Sequence, residues 1–232
     1  MKRIAPLQSL AEIAADQVRE AIVTGVFRLG ENISEDKLAT RLGISRTPVR
    51  DCMALLGQEG LVVVRSKRGS FVFETNPADI AAICDFRLML EVQGSQTALA
   101  RDAAELIQAL RGTLEVMDAA LAADDTIAYG RADTAFHQHA FDLCGNDYLR
   151  NAYRLINGRI AALRANITAP YEDRRIESCA EHRRMTDFLA KGDMSAFTSE
   201  LAVHIGRTKA VYIQALRDGH LGPASAPFWG EA

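Results

Sequence analysis

The sequence predicts a mainly α-helical chain in two parts: a short front unit of helices closed by a β-hairpin, then an all-helical bundle. Three observations carry this. β-Rich runs close the front part between residues 61 and 73, and after Pro77 they give way to apolar residues at helical spacing. The junction Glu74-Thr75-Asn76-Pro77 joins a capping asparagine to a proline at a first helical position, where its missing N–H costs nothing. Charge divides at the same place, with eleven basic and nine acidic side chains in residues 1–75 against sixteen and twenty-one in the rest. The boundaries expected are therefore 1–75, 76–218 and a flexible tail over 219–232, within the one or two domains that 232 residues allow.

In the front unit, residues 1–8 lack periodicity and should fray. Ser9-Leu10-Ala11-Glu12 is a capping box, and Leu10, Ile13, Ala14, Val18, Ala21 and Ile22 form an apolar stripe behind it. Gly25 ends that helix, and Phe27 to Ile33 bring the chain to Ser34, an N-cap followed by two acids. Leu38, Ala39 and Leu42 share one face of the second helix, which Gly43 stops. Ser45 then caps a third helix that tolerates Pro48 in its first turn. Helices joined by so short a turn must cross steeply, which makes a helix-turn-helix.

Arg46 and Arg50 are four apart and share a face near the start of the third helix, while Met53 and Leu56 can pack inward. Leu61 to Val64 and Phe71 to Phe73 read as strands joined through Arg65-Ser66-Lys67-Arg68-Gly69-Ser70, a basic tip that forms a wing. Between Arg41 and Arg68 there are six basic residues and two acids, in a chain whose net charge is −3. Any one of these arginines could belong to a solvated surface. Helix order, turn, cap and charge placement together point to phosphate neutralisation on duplex DNA.

The second part reads as six helices, over 77–100, 103–123, 126–144, 147–168, 173–191 and 194–217, broken at Gly145-Asn146, Ala169-Pro170 and Lys191-Gly192-Asp193. Their lengths suit a bundle, with ample alanine for close approach. After Asp218 no helical pattern continues, although Phe228 and Trp229 could dock. No stretch approaches the roughly 18 apolar residues of a membrane span, and Met1-Lys2-Arg3-Ile4 has no apolar signal core behind it, so a cytoplasmic location is expected. Cys52, Cys84, Cys144 and Cys179 are far apart and should be reduced and buried.

Asp133 and His137 are four apart on one predicted helix and can share a metal ion. His182 and His204 lie roughly 15 and 18 Å from the turn at Gly192, at helical rise, so an antiparallel hairpin sets them at one height. One carboxylate and three imidazoles then come within reach of a single point, a set suited to Zn²⁺ or Ni²⁺. His139 is two residues from His137 and faces elsewhere. Spacing alone leaves open that each histidine is an ordinary interior or surface residue. Arg87 interrupts the apolar stripe of Ile80, Ile83, Cys84, Leu90 and Gly94. It is either a buried guanidinium seeking a carboxylate or one half of a surface ion pair with Glu91.

The run LGISRTPVRD, followed by EGLV and RGSFV, resembles the winged-helix signature of the GntR family of bacterial transcription regulators over about the first 75 residues. The resemblance implies that Arg46 and Arg50 touch bases or neighbouring phosphates in the major groove, that Ser45 and Thr47 contact phosphates, and that Lys67, Arg68 and Gly69 approach the minor groove. Asp51-Cys52 departs from the Glu-Ala common at this place, which bears on sequence preference rather than fold. The helical half resembles the FCD domain, many members of which have an Asp-x-x-x-His helix and two further histidines. That implies Asp133, His137, His182 and His204 as metal ligands and Arg87 facing the ligand.

The expected function is thus a ligand-responsive regulator, most simply a repressor, that binds an inverted-repeat operator as a homodimer. A divalent metal and a small carboxylic or sugar acid would act through the helical domain. The competing expectations are a helical metalloenzyme and a regulator whose metal is purely structural. Against the enzyme, no HExxH pair or poised general base is evident, and an enzyme has no use for the wing.

Overall fold

The computed structural model describes residues 8–168 and 171–219, which form two compact units, one reaching Glu74 and the other starting at Thr75. The expected frayed start up to Leu7, the break at Ala169-Pro170 and the tail with Phe228 and Trp229 lie outside the described residues.

In the first unit, α1 (Leu10–Val23) opens on the capping box, with the Ser9 hydroxyl accepting from Glu12 N and the Glu12 carboxylate accepting from Ser9 N. Its buried side is Ala11, Ala14, Ala15, Val18, Ala21 and Ile22. Ala14, Val18, Ala21 and Ile22 of the expected stripe are buried, but Leu10 and Ile13 are exposed and Ala11 and Ala15 are inside instead. Small alanines let α1 lie close against α3, and this contact, not residue hydrophobicity, selects the buried face. α2 (Glu35–Leu42) begins where Ser34 Oγ accepts from Lys37 N and ends at Gly43, whose φ of 65° is left-handed. α3 (Arg46–Gln58) buries Val49, Cys52, Met53 and Leu56. Arg19 of α1 grips Glu59 just beyond α3 with two bonds of 2.7 and 2.6 Å.

Strands β2 (Val62–Arg65) and β3 (Gly69–Val72) form the wing, antiparallel with Val62 opposite Val72 and Arg65 opposite Gly69. A third strand, β1 (Asn32–Ile33), adds to the free edge of β3 and gives the order β1-β3-β2. Two residues are too few for alternation to reveal, so this strand was not foreseen.

The second unit consists of α4 (Pro77–Arg101), α5 (Ala103–Ala122), α6 (Thr126–Leu143), α7 (Asp147–Ile167), α8 (Glu172–Ala190) and α9 (Met194–Arg217). Each starts at or within a residue of its expected place, because its signals are local. Asn76, Asp102, Asp125, Asn146 and Asp193 all accept first-turn amides, and Gly145 and Gly192 have positive φ in the breaks. The contacts run α4 to α9, α9 to α8, α8 to α5, α5 to α6 and α6 back to α4, a ring of five helices with α7 packed on α4 and α6. One core cluster gathers Leu90, Phe141, Tyr153, Ile156 and Ile160. Gly94 permits it: a Cβ there would stand 3.1 Å from the Phe141 ring. All four cysteines are free and buried. Among the described residues no helix is long and apolar enough to cross a membrane.

Candidate functional site

Opposite the packed side of α3, Ser45, Arg46, Thr47 and Arg50 are all exposed. Ser45 has the extended backbone of an N-cap, yet its hydroxyl makes no capping bond. Arg46 Nε lies 2.6 Å from Asp36 Oδ1, and Arg50 Nε 3.4 Å from Glu35 Oε2, with the arginine side chains 64% and 70% exposed. Glu35 also accepts, through Oε1 at 3.1 Å, from the hydroxyl of Ser70, a buried residue of β3. The start of α2, the exposed face of α3 and the wing are thereby tied together. At the wing tip Lys67, Arg68 and Gly69 are exposed. Lys67 takes φ 59° and Gly69 φ 103°, so the turn needs left-handed backbone at both. Arg65, where β2 meets the turn, lies over the Phe71 ring and 2.7 Å from Glu74.

Inside the helical ring, His137 of α6, His182 of α8 and His204 of α9 converge, with one nitrogen from each within 4.8 Å of the others. His137 Nε2 and His182 Nε2 face each other at 3.1 Å. Two carboxylates set the tautomers. Glu91 of α4 stands 2.8 Å from His137 Nδ1, and Glu181 of α8 stands 2.6 Å from His204 Nδ1. Each Nδ1–H donates outward, which leaves an Nε2 lone pair turned toward the shared centre. His182 has no such backing, and its Nδ1 is buried without a partner. Asp133 is close but engaged: its Oδ2 is 3.9 Å from His137 Nε2 and 2.5 Å from Arg164 Nη2. That contact with Arg164 is an ion pair off the direction of a hydrogen bond, so Oδ2 keeps a free lone pair. The structure therefore brings the three histidines together and holds the expected fourth ligand at their edge. His139 points away and meets Thr113 Oγ1 at 2.8 Å.

Arg87 is neither on the surface nor alone. It is 1% exposed and its Nε donates to Glu91 Oε1 at 2.6 Å, so the pair first read as a surface alternative is real but enclosed. Arg87 Nη2 is buried with no partner.

Family models match both parts of the chain: "Bacterial regulatory proteins, gntR family" over residues 10–72 and the FCD domain over residues 82–207. The chain belongs to the GntR family, with an FCD domain. An HTH-type transcriptional regulator from the TAR-I ttuE-ttuC' intergenic region of Agrobacterium vitis is 38% identical over 124 residues, covering 52% of this chain and 72% of that one. A protein from Rhodococcus sp. RHA1 described as a transcriptional regulator GntR shares the fold, with TM-score 0.77 and 24% identity over 90% of this chain and 99% of that one. The Zn²⁺-bound FCD domain of TM0439 does so with TM-score 0.51 and 22% identity, covering 62% of this chain and 99% of that one. These assignments make the chain a DNA-binding transcriptional regulator and set the metalloenzyme aside.

In this GntR regulator the FCD centre is electrostatically prepared for a cation. Burial holds His137 and His182 well below the usual imidazole range, so both are neutral and able to donate a lone pair. Burial would raise the pKa of Asp133, but the Arg164 guanidinium beside it outweighs burial and holds the carboxyl low. Burial likewise opposes Glu181, whose bonds to His204 and Arg207 bring it to about 2. The residues fit a divalent ion on two further counts. Metal–nitrogen bonds near 2.0–2.1 Å at tetrahedral or octahedral angles put neighbouring nitrogens about 2.9–3.4 Å apart. The Nε2 pair at 3.1 Å lies in that range, and Asp133 Oδ2, although ion-paired with Arg164, accepts no hydrogen bond and keeps a lone pair for an ion.

From the centre a cleft of about 400 Å³, counted to its open mouth, is bounded by Arg87, Asp133, Arg164, His204, Tyr129 and Tyr212 among others. Sequence reasoning missed Glu91, Glu181 and Arg164. Glu91 was seen only as a surface partner for Arg87. Arg164 carried a signal, since it falls in helical register with buried Ile160 and Ile167, as Arg87 does in its own stripe.

Proposed function

We propose that this GntR regulator is a cytoplasmic, metal-dependent repressor that reads an inverted-repeat operator as a homodimer and responds to a small carboxylic or sugar acid. His137, His182 and His204 would hold a divalent ion, Zn²⁺ or Ni²⁺, with Asp133 as the fourth ligand. The observation that carries this is the pair of carboxylate-backed imidazoles aimed, with His182, at one buried point in a cleft that Arg87, with its unpaired Nη2, also lines. When bound, the ion supplies an electrophilic anchor for an acid oxygen. Arg87 Nη2 orients the same acid, Glu91 and Glu181 fix the imidazoles, and the enclosing helices exclude water.

At the other end, Arg46 and Arg50 would reach base edges or adjacent phosphates, Ser45 and Thr47 phosphates, and Lys67, Arg68 and Gly69 the minor groove. The exposure of all seven supports this. An effector that favours one arrangement of the reading heads over another then shifts operator occupancy.

Two measurements test the proposal. Arg50→Ala should abolish binding to an operator selected from random duplexes at moderate salt while the far-UV circular dichroism is unchanged; an intact footprint counts against the reading face. Chelation of the purified protein should remove acid binding and leave the helices folded. Collapse of the helical unit would instead assign the ion a structural role.

A further inference from the structure

The cleft carries more positive charge than one carboxylate can answer. Five guanidinium groups line it, those of Arg87, Arg164, Arg174, Arg175 and Arg207. Five carboxylates touch four of them: Glu91 on Arg87, Asp133 on Arg164, Asp124 on Arg175, and Glu177 with Glu181 on Arg207. Counting the imidazoles as the neutral ligands that metal binding requires, these side chains balance, and a divalent ion leaves two positive charges unanswered. The true excess is larger, because Asp124 is 80% exposed and Glu177 50% exposed, so solvent screens both.

Two donors are also uncommitted. Arg87 Nη2 is enclosed and unpaired, while half-buried Arg174 of α8 makes no ion pair among the described residues. A single carboxylate on the ion and Arg87 would leave one positive charge and Arg174 without a partner. A further cavity of about 300 Å³ on another side of His137 is a poorer place for an anion: apart from His137 and Ser95 its lining is apolar, Leu106, Phe136, Met185 and Phe197 among it, with the Glu91 carboxylate and no Lys or Arg.

We propose that the effector is a small dicarboxylic acid, with one carboxylate at the histidine centre and Arg87 and the other at Arg174. This rests on the reading above that an organic acid binds beside the metal. The test is calorimetric titration of the full chain loaded with Zn²⁺, using malonate, succinate and glutarate against acetate, propionate and butyrate. The expected result is at least one diacid binding about tenfold or more tighter than its one-acid counterpart, the size of one charge-assisted hydrogen bond. Arg174→Gln should erase that preference by weakening the diacid and leaving the monoacid unchanged, with thermal stability intact. Equal affinities for the two series, or a preference that survives Arg174→Gln, would overturn the second carboxylate while the acid reading stands. If no acid of either series binds, the acid reading itself falls and takes this inference with it.

Discussion

Arg50 and Arg87 each stand beside a glutamate, and the two units give the two pairs unlike energies. Arg50 meets Glu35 at 3.4 Å, with the arginine 70% and the glutamate 26% exposed. Arg87 meets Glu91 at 2.6 Å, with side chains 2% and 4% exposed. An exposed pair is worth about 1 kcal/mol at most, so water or a phosphate can replace either partner at little cost. A buried pair gains little over a well-packed apolar one, but breaking it strands a charge, at a cost of about 3–5 kcal/mol. The difference suits what each unit is proposed to do. A surface that binds and releases a polyanion needs exchangeable pairs, whereas a centre that holds an ion and an acid needs fixed ones.

The largest effect expected from this contrast is in Glu91→Ala. It leaves the Arg87 guanidinium buried without its counter-charge and unties His137 Nδ1. Urea unfolding should show a loss of about 3–5 kcal/mol, and metal affinity should drop by about 10–100-fold. Glu35→Gln, which spares the acceptor for the buried Ser70 hydroxyl, should cost no more than about 1 kcal/mol. Equal costs at the two sites would remove the distinction between the pairs.

Acid should also separate the units, since all five histidines lie beyond residue 75. Burial depresses the folded-state pKa of His137 and His182 below the ordinary 6.5. The unfolded chain therefore binds more protons than the folded one once pH falls below about 6.5. Stability of the metal-free protein should be full above that value and decline as pH drops toward the folded pKa values. The slope can reach about 1.4 kcal/mol per pH unit for each histidine. Asp133 and Glu181, depressed from carboxylate values, lose their contributions only at lower pH and do not offset the decline. Thermal scans between pH 7.5 and 5.5 should show the helical unit melting progressively earlier while the front unit holds. A flat profile for the helical unit would mean that the two imidazoles are not kept neutral by the fold.

Much of this architecture is legible in the sequence because its signals are local. Ser9, Ser34, Asn76, Asp102 and Asp193 cap where capping residues should, and Gly43 and Gly192 turn where helices stop. What failed depends on partners distant in the chain. The face of α1 is chosen by its contact with α3, so Ala11 and Ala15 are inside while Leu10 is out. The four-residue spacing puts Asp133 on the correct face, but Arg164, a helix away, takes the carboxylate, and spacing within α6 cannot show that. Glu91 and Glu181 are acids in buried positions, and charge alone argues for the surface. Only knowing that each faces an imidazole explains why they are inside.

The smallest expected effect concerns Glu35. In Glu35→Gln the side-chain amide oxygen can still accept from Ser70, so the tie between α2 and the wing survives. Only the charge facing Arg50 is lost. Stability should change by less than about 1 kcal/mol, because the pair is largely solvated. DNA binding should respond more clearly. A negative charge beside an arginine proposed to read DNA would repel phosphates and compete for the guanidinium, so removing it should tighten binding to a scrambled duplex a few-fold. One more cation becomes free to neutralise a phosphate, and the slope of log affinity against log salt should steepen by about 0.9. The operator should gain less, since the proposed base contacts would already draw Arg50 away from Glu35, and the ratio of operator to scrambled affinity should fall. Unchanged slope and ratio would mean that the Glu35 contact is incidental and that the exposed pair does not tune how the reading face discriminates.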